Sequence, residues 1–127
     1  YGRAAIDPAV ETEIITWAKE AGYEVFDPEG AMPALDKLPS EVKFVITGEA
    51  FSEAAGEFGR FRAAKVRAEV RAIDRDSGRI IAISRRVGVV ADLGERYAAK
   101  KGLGQAGAGI AYEMLPKLAA YAEKMSL

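Results

Sequence analysis

Residues 62–90, RAAKVRAEVRAIDRDSGRIIAISRRVGVV, decide the fold of this 127-residue chain. Between 63 and 73 alanine and valine alternate with charged residues, which is the period of a strand with one buried and one wetted face. The segment 79–90 resumes as a strand, with Ile81, Ile83, Val87 and Val89 on one phase. Residues 74–78, DRDSG, have turn chemistry, because Asp and Ser bond their own backbone and Gly accepts positive φ. The sequence therefore predicts an antiparallel hairpin of 62–73 and 79–90.

The wetted face of the first strand of this hairpin is basic. Lys65, Arg67, Glu69 and Arg71 point away from the apolar side, in a segment (60–86) that holds nine Lys/Arg against three Asp/Glu. Residues 1–59 carry a balance of −8, so the net charge of −1 hides a polarised chain. The other basic residues of this segment are Arg60, Arg62, Arg75, Arg79, Arg85 and Arg86. We predict that Lys65, Arg67 and Arg71 contact a partner, and simple solvation of the row is the alternative.

Helical periods flank this strand-forming region. Asp7-Pro8 predicts a helix start and Gly22 its end, with apolar residues from Val10 to Ala21 at helical spacing. A short strand, 23–26, is predicted to end at Asp27-Pro28, and 29–40 reads as a loop with one helical turn. A strand over 42–51 and a small-residue connection over 52–59 follow.

From Asp92 onward the period is helical again. The apolar stripe of the last thirty residues predicts one long closing helix, which Pro116 should kink or divide. We therefore predict a single α+β domain over 1–127. Its architecture is a two-layer sandwich, with a mixed, mostly antiparallel sheet and helices packed on one face.

Composition excludes several kinds of chemistry. The chain has no His and no Cys, so thiolate nucleophiles, disulfides, Cys/His zinc sites and Ser-His-Asp mechanisms are absent. No apolar run approaches the roughly 18–20 residues that cross a bilayer. Nucleic-acid binding on a sheet would need exposed aromatic residues for base stacking, and only Phe58 and Phe61 lie near the basic row. We predict no catalytic residue, no metal site, no cofactor and no nucleic-acid partner.

Three local patterns have both a chemical and a structural interpretation. Residues 102–107, GLGQAG, match G-x-G-x-x-G, but helix and not a strand precedes them, so close helix–sheet packing is the default interpretation. A small-molecule or nucleotide-binding domain that uses the glycine-rich segment 102–109 is the alternative function. Asp74, Asp76 and Ser77 read as turn residues and not as cation ligands. Glu49, Glu53 and Glu57 would form an acid–base pair only if the fold brought them together in a cleft.

Several stretches resemble one group of bacterial envelope lipoproteins, the curli-secretion-channel-like and penicillin-binding-protein-activator-like family. They are 20–27, EAGYEVFD, 44–50, FVITGEA, the hairpin 66–82 and the Gly/Ala-rich closing helix. A domain of the flagellar assembly protein T and the N-terminal domain of the Tol–Pal translocation protein are relatives of this group. The resemblance covers about residues 7–122. Family members usually begin with a further strand. We expect either that Tyr1–Ile6 is the remnant of this strand or that the strand lies upstream of Tyr1, where a signal segment would also lie.

The resemblance implies non-catalytic work in the periplasm. It implies a protein partner in the cell envelope, in assembly or secretion of surface structures or in regulation of cell-wall synthesis. Contact with the outer membrane would come only through a lipid anchor upstream of Tyr1, and a homo-oligomer is left open. The chain has no long amphipathic insertion of the kind with which the curli channel builds its barrel.

Overall fold

The computed structural model describes residues 8–26 and 34–125. Along the chain, helix α1 (Pro8–Glu20) comes first and helix α2 (Glu95–Met125) last. Three strands lie between them in the sequence: β1 (Phe44–Phe58), β2 (Phe61–Asp74) and β3 (Ile80–Asp92). The sheet order is β1-β2-β3 and both pairings are antiparallel. The prediction of an α+β fold with helices against one face of a sheet is confirmed.

The predicted hairpin forms as the alternation requires. The backbone N–H of Asp74 donates to the Arg79 carbonyl at 2.8 Å, and that of Gly78 donates to the Asp74 carbonyl at 2.8 Å. The Asp74 carboxylate accepts the backbone N–H of Asp76 at 2.9 Å and of Ser77 at 3.3 Å. Gly78 takes a φ of +73°, where a side chain would be strained. This turn therefore fixes the register of β2 against β3.

One face of the sheet forms the core and the other is open. On β2 the residues Val66, Ala68, Val70 and Ala72 are all at most 2% exposed, and they share a cluster with apolar residues of both helices. Helix α2 packs across β2 and β3, and α1 packs against α2. Leu103, Ile110, Met114 and Leu118 are the large buried side chains that α2 contributes. The helical stripe predicted for the closing helix is thus its sheet-facing side.

The predicted connection over 52–59 is wrong, because β1 continues through it to Phe58. The register passes from Ala54↔Ala64 to Gly56↔Ala63, which leaves Ala55 as the extra residue of a bulge. Gly56 accommodates the bulge with a φ of +128°. Small residues read as a connection in the sequence because they have weak strand propensity, whereas pairing with β2 holds them extended.

The predicted strand over 23–26 is also wrong, because Tyr23–Phe26 is irregular. Helix α1 ends as predicted: Gly22 has a φ of +96°, and the N–H groups of Gly22 and Tyr23 donate to the carbonyls of Lys19 and Ala18. These bonds form a Schellman cap. The predicted helical turn is the 3-10 turn Leu35–Lys37. Asp7 and residues 27–33, with the predicted Asp27-Pro28 stop, lie outside the described residues.

Helix α2 is one unbroken element of 31 residues. Of the two outcomes predicted for Pro116, a division of the helix is therefore wrong, and a kink stays a prediction. Pro116 is exposed, and the neighbouring Met114, Leu115 and Leu118 stay buried against the sheet. Packing of this apolar face outweighs the hydrogen bond that the proline cannot donate.

Candidate functional site

The three predicted partner-contact residues lie together on the face of the sheet that is opposite the helices. Lys65, Arg67 and Arg71 alternate along β2 with the buried core residues, and all three are exposed. We call this surface the open face. By register it consists of these residues: Thr47, Glu49, Phe51, Glu53, Lys65, Arg67, Glu69, Arg71, Ile83, Arg85, Val87 and Val89.

A carboxylate interrupts the basic row. Glu69 lies between Arg67 and Arg71 on β2, and it accepts from the Arg85 guanidinium at 2.6 Å and from Arg71 at 3.5 Å. Glu49 is directly opposite Glu69 on β1. Like charges in this position repel, so the two arginines are needed to stabilise Glu69 where it is. The middle of the open face is consequently an ion-pair network around Glu69, which the alternation of β2 already places among the basic residues.

The open face has a different character along each strand. Strand β1 contributes Glu49 and Glu53, whereas β2 contributes the cations. On β3, Val87 and Val89 are 63% and 64% exposed, and they are paired with Arg67 and Lys65. Counted over the whole open face, four cations stand against three carboxylates. Its electrostatic character is mixed, with an apolar margin along β3.

An aromatic ring orients one of the cations. The Arg67 guanidinium lies 5.4 Å from the centroid of the Phe51 ring, across the β1–β2 pairing. A cation held over a ring keeps a more defined position than a free side chain on a wet surface. Lys65 and Glu53 are paired in register but form no ion pair of 4.0 Å or less. Arg67 is therefore the best-positioned cation of the predicted three.

The apolar margin on β3 is the part of this surface that the sequence reasoning missed. The register shifts between Ala72↔Ala82 and Ile73↔Ile80, leaving Ile81 unpaired and packed toward the core. Ile83, Val87 and Val89 are on the opposite side, and Ala82 and Ser84 face the helices. The sequence did contain a signal for this arrangement. The core side of β2 carries small apolar residues, and the small residues of β3 follow the phase that runs from Ala82 to Gly88. Apolar character alone could not assign the faces of β3.

The other arginines of the basic segment do not join the open face, except Arg85. Arg86 points to the helix side, where it donates to the Gly109 carbonyl and to the Glu113 carboxylate, both at 3.1 Å. Arg75 donates to the Leu38 carbonyl at 2.9 Å and pairs with Asp76 at 2.9 Å. Arg62 pairs with Glu57 at 3.1 Å. These side chains connect elements of the fold, so the +6 balance of residues 60–86 overstates the positive charge available to a partner.

The glycine-rich segment 102–109 lies inside α2 and not at its start. Its N–H groups belong to the interior of a helix that begins at Glu95, whereas a phosphate-binding glycine loop presents free N–H groups at a helix N-terminus. A Cβ on Gly102 would lie 2.9 Å from the Val66 side chain, and one on Gly107 would lie 2.9 Å from the Val10 carbonyl. These two glycines allow α2 to approach the sheet and α1. The packing interpretation explains them.

The acidic candidates have structural surroundings. Asp74 is 7% exposed, and the Tyr121 hydroxyl donates to its carboxylate at 2.6 Å, which joins the hairpin turn to the last turns of α2. The bond from Tyr121 holds the pKa of Asp74 below its usual value, and the same bond raises the pKa of Tyr121. Glu49, Glu53 and Glu57 follow one another along the outer strand β1. Across residues 8–26 and 34–125, no group of three potential acidic, His or Cys ligands comes together to hold a metal ion.

Comparisons with known proteins give a distant likeness in structure. No family model and no curated protein matches the chain. The solved structure of a putative lipoprotein from Caulobacter crescentus is similar over 91% of this chain and 82% of that one, at 12% identity and a TM-score of 0.46. None of the helices in the described ranges is long and apolar enough to cross a membrane.

Proposed function

We propose that this protein is a non-enzymatic protein-interaction module of the bacterial cell envelope, and that its partner binds the open face. The observation that carries the proposal is the exposed pair Val87 and Val89, 63% and 64% accessible, directly beside Lys65 and Arg67. Apolar residues next to arginine and an aromatic ring are the composition that protein interfaces favour.

The charge pattern of the open face favours a protein over an anionic polymer. Nucleic acid or another polyanion attracts a surface with an excess of cations, because its affinity comes from phosphate contacts. Here Glu49, Glu53 and Glu69 offset most of the positive charge. A protein surface can match acidic, basic and apolar positions separately, and such complementarity gives specificity.

The envelope location rests on the resemblance of the hairpin and closing helix to the envelope lipoprotein family. On this proposal the module works in the periplasm, where a lipid anchor upstream of Tyr1 would hold it to the outer membrane. Its role is in assembly or secretion of surface structures, or in regulation of cell-wall synthesis. A homo-oligomer is compatible with this role.

An affinity experiment with charge-matched variants tests the proposal. The purified protein is immobilised, incubated with envelope extract, and compared with the triple variant Lys65→Glu, Arg67→Glu, Arg71→Glu. The control changes three exposed lysines outside the open face to glutamate: Lys19, Lys37 and Lys124. We expect an envelope protein that binds the wild type and the control but not the open-face variant, and not Val87→Ser/Val89→Ser. Equal recovery by all variants, or cytosolic partners only, would refute the proposal.

A further inference from the structure

One end of the molecule exposes four large apolar side chains, apart from the open face. Phe58 and Phe61 are paired in register across the Gly59-Arg60 turn between β1 and β2. Leu93 directly follows β3 at the same end, because Arg62 pairs with Asp92. Tyr97 lies in the first turn of α2 beside Gly94. Their exposures are 65%, 46%, 64% and 67% in that order. We call these four residues the aromatic tip.

The aromatic tip projects from the body of the protein. Every residue from Glu53 to Phe61 is exposed, since α2 covers β2 and β3 but hardly reaches β1. The two-residue turn is tight, and Gly59 takes a φ of +62° in it. Single exposed apolar residues are normal on a protein surface, but a cluster of large ones on a projecting end marks a contact site. A projecting ribbon suits a flat, yielding surface better than it suits a rigid protein groove.

Unpaired cations surround the aromatic tip. Arg60 lies between the two phenylalanines, Arg96 precedes Tyr97, and Lys100 and Lys101 are one turn further along α2. None of these four forms a salt bridge with another described residue. The nearby Glu57 is already neutralised by Arg62 at 3.1 Å. Asp92, Glu95 and, on α1, Glu13 are carboxylates on this side, so the four cations are still in excess around the exposed rings.

We propose that the aromatic tip attaches the protein peripherally to an anionic lipid bilayer. Aromatic side chains partition into the interface between headgroups and acyl chains, and nearby Arg and Lys are attracted to anionic lipid headgroups. Phe58, Phe61 and Leu93 would enter the interface, while Arg60 and Arg96 would bind headgroup phosphates. This inference is independent of partner binding at the open face, because the two surfaces use different residues.

The absence of cysteine makes a direct test simple, since a single introduced cysteine carries an environment-sensitive dye at one site. Ala91→Cys places the dye beside the tip, two residues before Leu93, without removing a residue of the proposed site, and Ala120→Cys places it on the exposed side of α2 near its other end. Each labelled full chain is mixed with vesicles of phosphatidylcholine alone or with about a third phosphatidylglycerol. We expect a blue shift at position 91 with the anionic vesicles, weakened by salt, and no shift at position 120.

Co-sedimentation of unlabelled protein with the same vesicles supplies the second measurement. Phe58→Ser/Phe61→Ser should lower the partition coefficient by at least about tenfold. Val87→Ser/Val89→Ser, which removes the same kind of exposed apolar surface from the open face, should leave it unchanged. Three results would overturn the proposal. The wild type does not bind the anionic vesicles, or both double variants bind them equally. In the third, the dye responds to an added protein partner in the absence of lipid and not to the vesicles.

Discussion

Single glycines decide how closely the layers of this protein approach one another. Gly107 lies where α2 meets α1, and a Cβ there would lie 2.9 Å from both the Val10 carbonyl and the Glu13 Cβ. Gly104, three residues earlier on the same helix, has nothing within 4 Å of the position of a Cβ. Glycine has the same intrinsic cost to the helix at both positions. A comparison of substitutions at the two positions therefore separates the effect of packing from the effect of helix propensity.

We predict that Gly107→Ala lowers the free energy of unfolding by about 1–2 kcal/mol, because overpacking outweighs the gain in helix propensity. Gly104→Ala should raise it by up to about 1 kcal/mol. Urea denaturation of the three proteins measures both effects. A stabilised Gly107→Ala variant would show that α1 does not pack where the structure places it.

The Asp74–Tyr121 bond is a second feature that depends on single side chains. The pKa of Asp74 is lowered from 3.8, so the folded state favours the carboxylate form. The stabilisation of the fold by this carboxylate is therefore present above pH 3.8 and is lost as the pH falls through the lowered value. The pKa of Tyr121 is raised from 10.0, so its contribution is fully present below pH 10.0 and is lost as the pH rises through the raised value. The bond therefore stabilises the fold across the intervening range.

Tyr121→Phe should lower the melting temperature by several degrees at neutral pH, since it removes a hydrogen bond to a carboxylate. The difference from the wild type should shrink as the pH falls below 3.8, when Asp74 becomes protonated. Thermal unfolding monitored by circular dichroism over a pH series measures this difference. A gap that stays constant down to about pH 2 would contradict the assigned bond.

Among the elements, β2 was predictable from the sequence and β3 was not. Strict alternation of small apolar and charged residues gives β2 a single possible orientation, and it places Lys65, Arg67 and Arg71 on the open face as predicted. Strand β3 has apolar residues on both phases. The register shift at Ile81 leaves that residue against the core, whereas Ile83, Val87 and Val89, which share its phase in the sequence, lie on the open face. The same limit applies to β1, where the bulge at Ala55 allows a glycine-containing segment to stay in the sheet.

A matched pair of substitutions tests the assignment of the two faces. Val70→Ala on the core side of β2 should cost about 2–3 kcal/mol of unfolding free energy, because Val70 is 0% exposed. Val87→Ala on β3 should cost less than about 1 kcal/mol, since the side chain is mostly in water. Chemical denaturation compares them directly. A larger cost at Val87 than at Val70 would mean that the faces are exchanged.

Helix α2 shows how packing overrides a local signal. Pro116 predicts an interruption, yet the helix continues because the residues around it are buried against the sheet. Pro116→Ala restores a backbone donor at an exposed position, so it should raise the unfolding free energy by about 1–3 kcal/mol. The measurement is again urea denaturation. A destabilised variant would show that the geometry of α2 depends on the proline.

For the whole molecule, fold class followed from periodicity, but the character of the site did not. Counting charges along the chain predicted a basic middle segment, whereas Glu49 joins the open face through its pairing with Glu69, and Arg86 points to α2 instead. Long-range register of this kind is not visible in a local pattern. The exposed Val87 and Val89 favour a protein partner with a mixed surface over a polyanion.

Site-specific photo-crosslinking tests partner binding by the open face most directly. A photoreactive amino acid replaces Ile83, an exposed position of the open face that leaves its cations in place, or Ala120, on the exposed side of α2, and each protein is irradiated in intact envelope. We predict a discrete adduct with an envelope protein from position 83 and none from position 120. No adduct from position 83, or the same adducts from both positions, would contradict the assignment of the open face as the binding surface.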